Sequence, residues 1–333
     1  MKAAVVILNW NGAHHLREFL PSVIAHTPAD IDIVVADNGS TDDSIATIEA
    51  IFAHRVKLHK MDKNRGYAGG YNKVLSELNH DIFILLNSDI EVTAGWCEPL
   101  VERLKNDPKI GAVGSKLRSY VERDKFEYAG AAGGFIDYLG YPFCRGRIAS
   151  KIEQDKGQYD NADSEVFWVS GAAMACRSEV FKELGGFDED FFAHMEEIDL
   201  CWRMQLRGYK IVVACESVIY HLGGGTLNTE SPRKTYLNHR NNLAMLYKCA
   251  PPMQRFTVAA VRPFLDIAAA FSYLFQGRFG SFLAVGHAWF TFLMWHSKLN
   301  RKRKEIRSAV VAESNKIYRG SILIRSILFL RRS

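Results

Sequence analysis

This 333-residue chain lacks the cysteine density of a disulfide scaffold: its six cysteines, at 97, 144, 176, 201, 215 and 249, include no CxxC pair. That usage fits a reduced, cytosolic compartment. The apolar run from Ala3 to Leu8 is too short for a signal peptide, and no small-residue cleavage site follows it. No GxGxxG follows this first run and no GxxxxGKS/T occurs anywhere, which argues against a dinucleotide dehydrogenase or a P-loop ATPase. Neither apolar stretch near the C-terminus is a convincing bilayer span. Phe256–Phe275 is interrupted by Arg262, Pro263 and Asp266, and Ser281–Trp295 has fifteen residues where roughly twenty are needed. Net positive charge is absent outside the tail. Lys298 to Ser333 holds eleven Lys/Arg against Glu305 and Glu313, an excess of nine within a total of +5, so residues 1–297 carry about −4. A mildly acidic globule with a basic tail argues against a nucleic-acid-binding body.

What is present is an alternation of strand and helix patterns in a composition that is 48% hydrophobic and 24% charged, enough for a sizeable core. Ile82–Leu86 is an unbroken apolar run, as expected of a strand covered on both faces by helices. Ala3–Leu8, Ile31–Ala36 and Val56–Met61 read as companion strands. Leu16, Phe19, Leu20, Val23 and Ile24 recur at helical spacing, with Pro21 expected to kink or restart the helix. Ser40 and Asp43 have the spacing of a capping box ahead of Ile45, Ile48, Ile51 and Phe52. A third helix carries Val74, Leu75 and Leu78. This βαβαβαβ order predicts a right-handed, mostly parallel sheet between helices. Such sheets bind ligands beyond the carboxyl ends of their strands, where Asn9–Gly12, Asp37–Ser40, Arg65–Gly70 and Asn87–Asp89 gather on one edge.

Eight stretches in order resemble the family 2 glycosyltransferases, inverting enzymes of the GT-A fold, and among them the bacterial rhamnosyltransferase-like branch. They are Val5–Gly12, Asp37–Asp42, Asn64–Asn72, Leu85–Asp89, Val169–Met174, Gly185–Glu189, Glu196–Arg203 and Tyr220–Gly225. Each is weak alone; their order and spacing over roughly residues 1–245 carry the resemblance. It implies an α/β GT-A domain over residues 1–230 and a helical C-terminal region over 231–333. It also implies a metal-dependent inverting transfer from a dTDP- or UDP-linked sugar to a hydroxyl of a lipid-linked cell-surface glycan.

The donor site implied by the resemblance comprises Asn9, Asn11, Asp37, Asn38, Arg65, Gly66, Gly70, Asn87, Ser88, Asp89, Asp199 and Arg240. Asp37 matches a carboxylate that reads a uracil or thymine imide, beside the plain reading of an Asx turn. Asn87-Ser88-Asp89 stands where the family has its DXD motif, with Asn in place of the first Asp. That leaves Asp89 as the main anchor for Mg²⁺ or Mn²⁺, joined by Asn87 and by His221. Inversion needs one carboxylate to take the acceptor hydroxyl's proton. Glu197 matches the family's base, with Glu where Asp is common, and Glu196 is the runner-up. Asp199 then orients a donor or a neighbouring side chain, although acidic residues also favour a helix's first turn. Arg240 meets either the diphosphate or a structural partner.

Other stretches stay open. Tyr128–Phe135 and Tyr138–Tyr141 read as a wall of a sugar site or as tight turns, and Trp168 and Phe187 as acceptor-side surface or core. Phe256–Phe275 and Ser281–Trp295 form a helical hairpin or lie in a membrane interface. The run Lys298–Arg307 and an amphipathic pattern over Ser321–Arg332 suggest an anionic membrane at the cytoplasmic face, against the alternative of a homodimer with a solvated basic run. Two further functions compete with the transferase: a nucleotidylyltransferase, which should carry a Gly-rich, Lys-bearing loop where Asn9-Trp10-Asn11-Gly12 stands, and a noncatalytic nucleotide-sugar-binding subunit.

Overall fold

The computed structural model describes residues 1–128, 130–148, 151–162, 164–223 and 231–323. The N-terminal part runs β1 (Ala3–Asn9), α1 (Ala13–His26), β2 (Asp32–Asp37), α2 (Ser44–Thr47), β3 (Val56–Lys60), α3 (Gly66–Glu77), β4 (Ile82–Asn87), β5 (Ile90–Val92), α4 (Glu98–Asn106) and β6 (Ile110–Ser119). Short strands follow: β7 (Gly134–Asp137), β8 (Pro142–Cys144), β9 (Arg147–Ile148), β10 (Lys151–Ile152) and β11 (Glu165–Val166). Then come β12 (Ala173–Arg177), α5 (Ser178–Glu183), α6 (Glu196–Leu206) and β13 (Lys210–His221). The chain closes with α7 (Pro232–Cys249), α8 (Pro252–Phe275), α9 (Phe279–Met294), α10 (His296–Ser308) and β14 (Ile317–Tyr318).

The main sheet has the order β11-β13-β6-β12-β4-β1-β2-β3, with β5 paired to β13. Strands β1, β2, β3, β4, β6 and β13 run one way, and β5, β11 and β12 run the other. Apolar runs without alternation arise because both faces are covered. Val6, Phe83 and Leu85 join the core beneath α3 and α6, while Val5, Ile7, Ile84 and Leu86 join the opposite core beneath α1 and α4. The expected α/β sheet between helices, with a C-terminal helical region, is the architecture found. A smaller sheet, β10-β9-β8-β7-β14, packs beside it.

Three local expectations need correction. Helix α1 continues through Pro21 and does not restart there. The ring is on the exposed side, where water can take up the Arg17 carbonyl that loses its helical partner. Ser40 and Asp43 form no capping box: the Ser40 hydroxyl accepts from Asn9 Nδ2 and the Asn11 amide, and Asp42 Oδ1 takes the Ser44 amide instead. Helix α2 passes at Ile48 into a π turn ending at Phe52.

Ala244, Met245 and Leu246 of α7 lie in the same apolar cluster as Phe83 and Leu85 of β4. The divide at residue 230 therefore separates secondary structure, not cores. The stretch Tyr138–Tyr141 is a tight turn, since Asp137 Oδ1 accepts from the Leu139 and Tyr141 amides. Trp168 and Phe187 are core, 4% and 2% exposed. The basic run is mostly an internal fastening. Lys298 and Lys302 pair with Asp190 and Asp188, Arg303 donates to the Tyr247, Lys248 and Ala250 carbonyls, and Arg307 pairs with Glu313. Arg301 and Lys304 are exposed without an acidic partner among the described residues. The amphipathic pattern of Ser321–Arg332 lies, from residue 324 on, outside the described residues.

Candidate functional site

Register brings the predicted edge together. Asn9 pairs with Asp37 across β1 and β2, and Leu8 pairs with Asn87 across β1 and β4. Asp37 is almost fully enclosed; its Oδ1 accepts from Asn9 Nδ2 at 3.2 Å and its Oδ2 from the Ser40 amide at 3.0 Å. The second bond is the Asx turn. Asn9 Oδ1 is buried with no hydrogen-bond partner, an acceptor held at a ligand-facing edge. Asn11 adopts φ 51° and its Oδ1 accepts from the Thr41 amide at 2.7 Å.

Asn38 acts as a bracket. Its Nδ2 donates to Asn64 Oδ1 and the Gly66 carbonyl, and its Oδ1 accepts from the Arg65 amide. Arg65 pairs with Asp62. Gly66 sits at φ 72°, where a Cβ would lie 2.6 Å from the Phe192 carbonyl oxygen. Gly70 is buried too, since a Cβ there would press on Leu8 at 2.8 Å. Both glycines thus have packing reasons to be glycine. The Tyr67 and Ala68 amides donate to the Phe192 carbonyl, so the first turn of α3 is capped by protein.

The DXD-like stretch follows β4. The Asn87 amide donates to the Ala172 carbonyl, and its side chain has no hydrogen-bond partner among the described residues. Ser88 is half-buried beside it. Asp89 is 7% exposed, with Oδ1 lying 3.3 Å from His221 Nε2, and His221 Nδ1 lies 3.5 Å from Glu127 Oε1. Burial opposes a charge on either Asp89 or His221. The attraction between them prevails: Asp89 is held below the usual carboxylate range, and the imidazole, flanked by Asp89 and Glu127, is raised to about 10.

Do these residues fit a divalent cation? Two donors at about 2.1 Å on an octahedral ion, at a right angle, stand about 3.0 Å apart, close to the 3.3 Å found between Asp89 and His221. A carboxylate oxygen and a neutral imidazole nitrogen are suitable donors, so a cation would have to displace the proton that Asp89 and Glu127 hold on His221; a neighbouring amide oxygen, Asn87, is uncommitted. Among the described residues no group of three His, Cys, Asp or Glu side chains takes a ligating arrangement, so diphosphate and water oxygens would have to complete the shell.

The acidic pair stands at the start of α6. Phe192, His194 and Met195 adopt φ of 65°, 69° and 72°, a left-handed passage that delivers Glu196 and Glu197 to the helix's first turn. Glu196 is 5% exposed and Glu197 partly open, yet each has an enclosed, unpartnered Oε2. Burial raises both. The Glu197 carboxyl goes up to about 7, and Glu196, with Glu197 beside it, is raised well above the usual range. Glu197 adjoins β4 through one turn: a Cβ on Gly171 would lie 3.5 Å from Glu197 Cβ, and Ala172 receives the Asn87 amide. The Tyr67 hydroxyl donates to the Gly171 carbonyl at 2.6 Å.

Two predicted residues lie elsewhere. Asp199 is fully buried, with Oδ2 at 2.8 Å from Arg203 Nε and Oδ1 at 2.9 Å from Lys248 Nζ. Of its two readings, the orienting of neighbouring side chains is the one this geometry serves. Arg240 donates to the Asp190 and Phe191 carbonyls, to Asn241 Oδ1 and to the Tyr236 hydroxyl, leaving no fork for a diphosphate.

Sequence reasoning missed Tyr67, Glu127 and Asn241. Asn241 Nδ2 lies within 3.0 Å of the carbonyls of Phe191, Ala193 and His194. The Arg240-Asn241 pair, a dipeptide the resembled family often carries at this place, was the pointer to it. A groove of about 510 Å³ beside Arg65, Asn72 and Lys182 shares no wall with Asp89 or Glu197. Of its polar groups, Asn72 is engaged with the Phe187 backbone and Lys182 with the Leu78 carbonyl.

The family model described as Glycosyl transferase family 2 matches residues 4–185, a span that ends before Glu196, Glu197 and His221. Among curated proteins, the chain is similar to an N-acetylglucosaminyl-diphospho-decaprenol L-rhamnosyltransferase of Mycobacterium tuberculosis. The two are 27% identical over 241 residues, 67% of this chain and 76% of the relative. Among solved structures it resembles GalNAc-T7 with UDP, GalNAc and Mn²⁺ (TM-score 0.59, 18% identity), covering 79% of this chain and half of the other. It also resembles the mannosyltransferase PcManGT of Pyrobaculum calidifontis in complex with GDP-Man and Mn²⁺ (TM-score 0.53, 16% identity), covering 92% and 85%. At those identities the structural likeness concerns the fold.

Proposed function

Because the chain belongs to glycosyl transferase family 2 and is a nucleotide-sugar glycosyltransferase, we propose that it transfers its sugar with inversion and that Glu197 is the general base. The observation that carries this reading is the Glu197 carboxyl itself: enclosed, unpartnered, raised to about 7 and one turn from the end of β4. Ionised Glu197 accepts the acceptor hydroxyl's proton as that oxygen bonds to the anomeric carbon. The bond from the anomeric carbon to the diphosphate oxygen breaks on the opposite face, and the nucleoside diphosphate leaves with the electron pair.

Asn9, Asn11 and Asp37 hold the nucleoside end of the donor, and Asn87, Ser88 and Asp89 its diphosphate. Asp89 and His221, with Asn87 near, would hold Mg²⁺ or Mn²⁺, which supplies positive charge to the leaving diphosphate. Burial, with Glu197 beside it, raises Glu196 well above the usual carboxylate range and so favours its protonated form, which can donate a hydrogen bond inside the site.

The M. tuberculosis relative is named for a diphospho-decaprenol acceptor; by analogy the acceptor here is a lipid-linked glycan of the cell surface and the donor a dTDP- or UDP-linked sugar. The enzyme then works at the cytoplasmic face of the membrane, a reading supported by the apolar, largely exposed helix α8. The test is a donor panel scored by ligand-induced thermal shift with and without Mn²⁺, followed by transfer to lipid-linked acceptors. A shift with dTDP- or UDP-sugars and an inverted product is expected. No shift with any nucleotide sugar would leave the site assignment without support.

A further inference from the structure

Helix α8 is largely polar inside and apolar outside, and α9, which buries Ser281, Ala284, Val285 and Ala288, is apolar outside as well. The buried line of α8 is Gln254, Val258, Arg262, Asp266 and Ala270. Arg262 and Asp266, each 1% exposed, pair with one another; Arg262 Nη1 also donates to Asn242 Oδ1 at 2.6 Å, and Trp289 Nε1 of α9 donates to Asp266 Oδ2 at 3.0 Å. The opposite face of α8 presents Phe256, Phe264, Ile267, Phe271 and Phe275, all exposed. Helix α9 adds Phe279, Leu283, Phe290 and Leu293, exposed at alternating spacings of four, seven and three residues along one face. A water-facing helix pair carries polar residues on its outer face. Apolar surface of this extent marks a site that something covers.

Charge decides between coverings. From Pro251 to Lys304 the sequence has eight Lys/Arg and one acid, Asp266, and that acid is enclosed with Arg262. Lys298 and Lys302 are paired with Asp190 and Asp188, and the unpaired remainder, Arg301 and Lys304 among it, is cationic; a second copy would bring two such surrounds face to face, whereas anionic headgroups complement them. Arg278 marks the turn between the helices, and Arg301 and Lys304 stand exposed beyond them. At 1.5 Å per residue, the 16 residues of α9 give about 24 Å, short of a bilayer's hydrocarbon core. Helix α8 is bound at its middle to Asn242 and Trp289 and so is not a free span.

We propose that α8 and α9 form an in-plane hairpin whose phenylalanine face is buried in the acyl layer of one leaflet, so that attachment is by insertion, with charge as an aid. This rests on the membrane reading above and assigns the surface responsible. The test uses the full chain in flotation with phosphatidylcholine vesicles and with phosphatidylcholine/phosphatidylglycerol vesicles, at low and high salt. It includes Phe264→Glu/Phe271→Glu and Arg301→Ala/Lys304→Ala, each first checked for an unchanged donor-induced thermal shift.

Insertion predicts that flotation persists at high salt, falls at least about tenfold in the phenylalanine variant, and weakens only on phosphatidylglycerol vesicles in the basic variant. Flotation abolished by salt and indifferent to the phenylalanine variant would overturn the hairpin while leaving membrane attachment standing. No flotation on either vesicle, with a chain of doubled mass that Phe264→Glu/Phe271→Glu converts to monomer, would overturn both and assign the face to a second copy.

Discussion

Replacing Asn241 by Ala removes the side chain that holds the passage into the acidic pair. Its Nδ2 faces the Phe191, Ala193 and His194 carbonyls at 3.0, 2.9 and 2.7 Å, and its Oδ1 accepts from Arg240 Nε. An amide has two hydrogens, so about two donated bonds and the one accepted from Arg240 are lost, each worth about 1 kcal/mol net, and buried carbonyls left unpaired add about 1–3 kcal/mol. Some of this returns when Phe192, His194 and Met195, each held in a left-handed conformation costing roughly 1–2 kcal/mol, relax. The expected loss of stability is about 2–3 kcal/mol, read from the guanidinium midpoint.

Relaxation also frees Glu197. A displacement near 1 Å should lower kcat about 100-fold. The KM for donor should hold, because Asn9, Asp37 and Asp89 stand on other elements. Asn241→Asp, which keeps the size but turns a carboxylate on three carbonyls, should be at least as damaging. Loss of stability with kcat unchanged, or a rise in donor KM in place of the fall in kcat, would refute the positioning argument.

The pH profile tests the environment of the base. Glu197 acts only when ionised, so burial that raises its pKa to about 7 should make log kcat/KM climb with pH up to about 7 and then level, whereas a limb near 4.5 would show that the carboxyl is not enclosed. Asp89→Ala should abolish the Mn²⁺-dependent part of donor affinity in calorimetry, and equal affinity with and without Mn²⁺ in the parent enzyme would remove that role. Lys248→Met should cost about 3 kcal/mol, the low end for a broken buried pair, since Asp188 keeps Lys302 and Asp199 keeps Arg203. Burial would raise Asp188, but Lys248 and Lys302 hold it below the usual carboxylate range. Its stabilisation is therefore full above the unfolded pKa near 4 and lost as pH falls further, which denaturation at several pH values would register.

The sheet was legible because its strands, covered on both faces, are written as unbroken apolar runs ending in polar tips. The edge holding Asn9, Asp37 and Asn87 follows from that directly. Side-chain partnerships distant in sequence were not legible. Nothing local tells that Arg240 and Asn241 hold a loop some 50 residues earlier, or that Lys298 and Lys302 fasten α10 to Asp190 and Asp188 where the sequence reads as a solvated basic run. Ser40 and Asp43 have capping spacing, yet the hydroxyl went to the end of β1. The apolar content of α8 and α9 was evident, but their orientation required knowing that Arg262 and Asp266 turn inward. Asp199 shows the limit of a motif: its place in Glu-Glu-x-Asp is clear, and only packing showed it bound to Arg203 and Lys248.

The central claim is that Glu197 removes the acceptor's proton in an inverting transfer. Single-turnover transfer by Glu197→Gln, with the product's anomeric configuration read by NMR for the parent enzyme, tests it most directly. The account predicts an inverted product, unchanged donor affinity in the variant and a transfer rate lower by roughly two to four orders of magnitude. A near-parental rate in Glu197→Gln, the same loss in Glu196→Gln alone, or a product with the donor's configuration would contradict it.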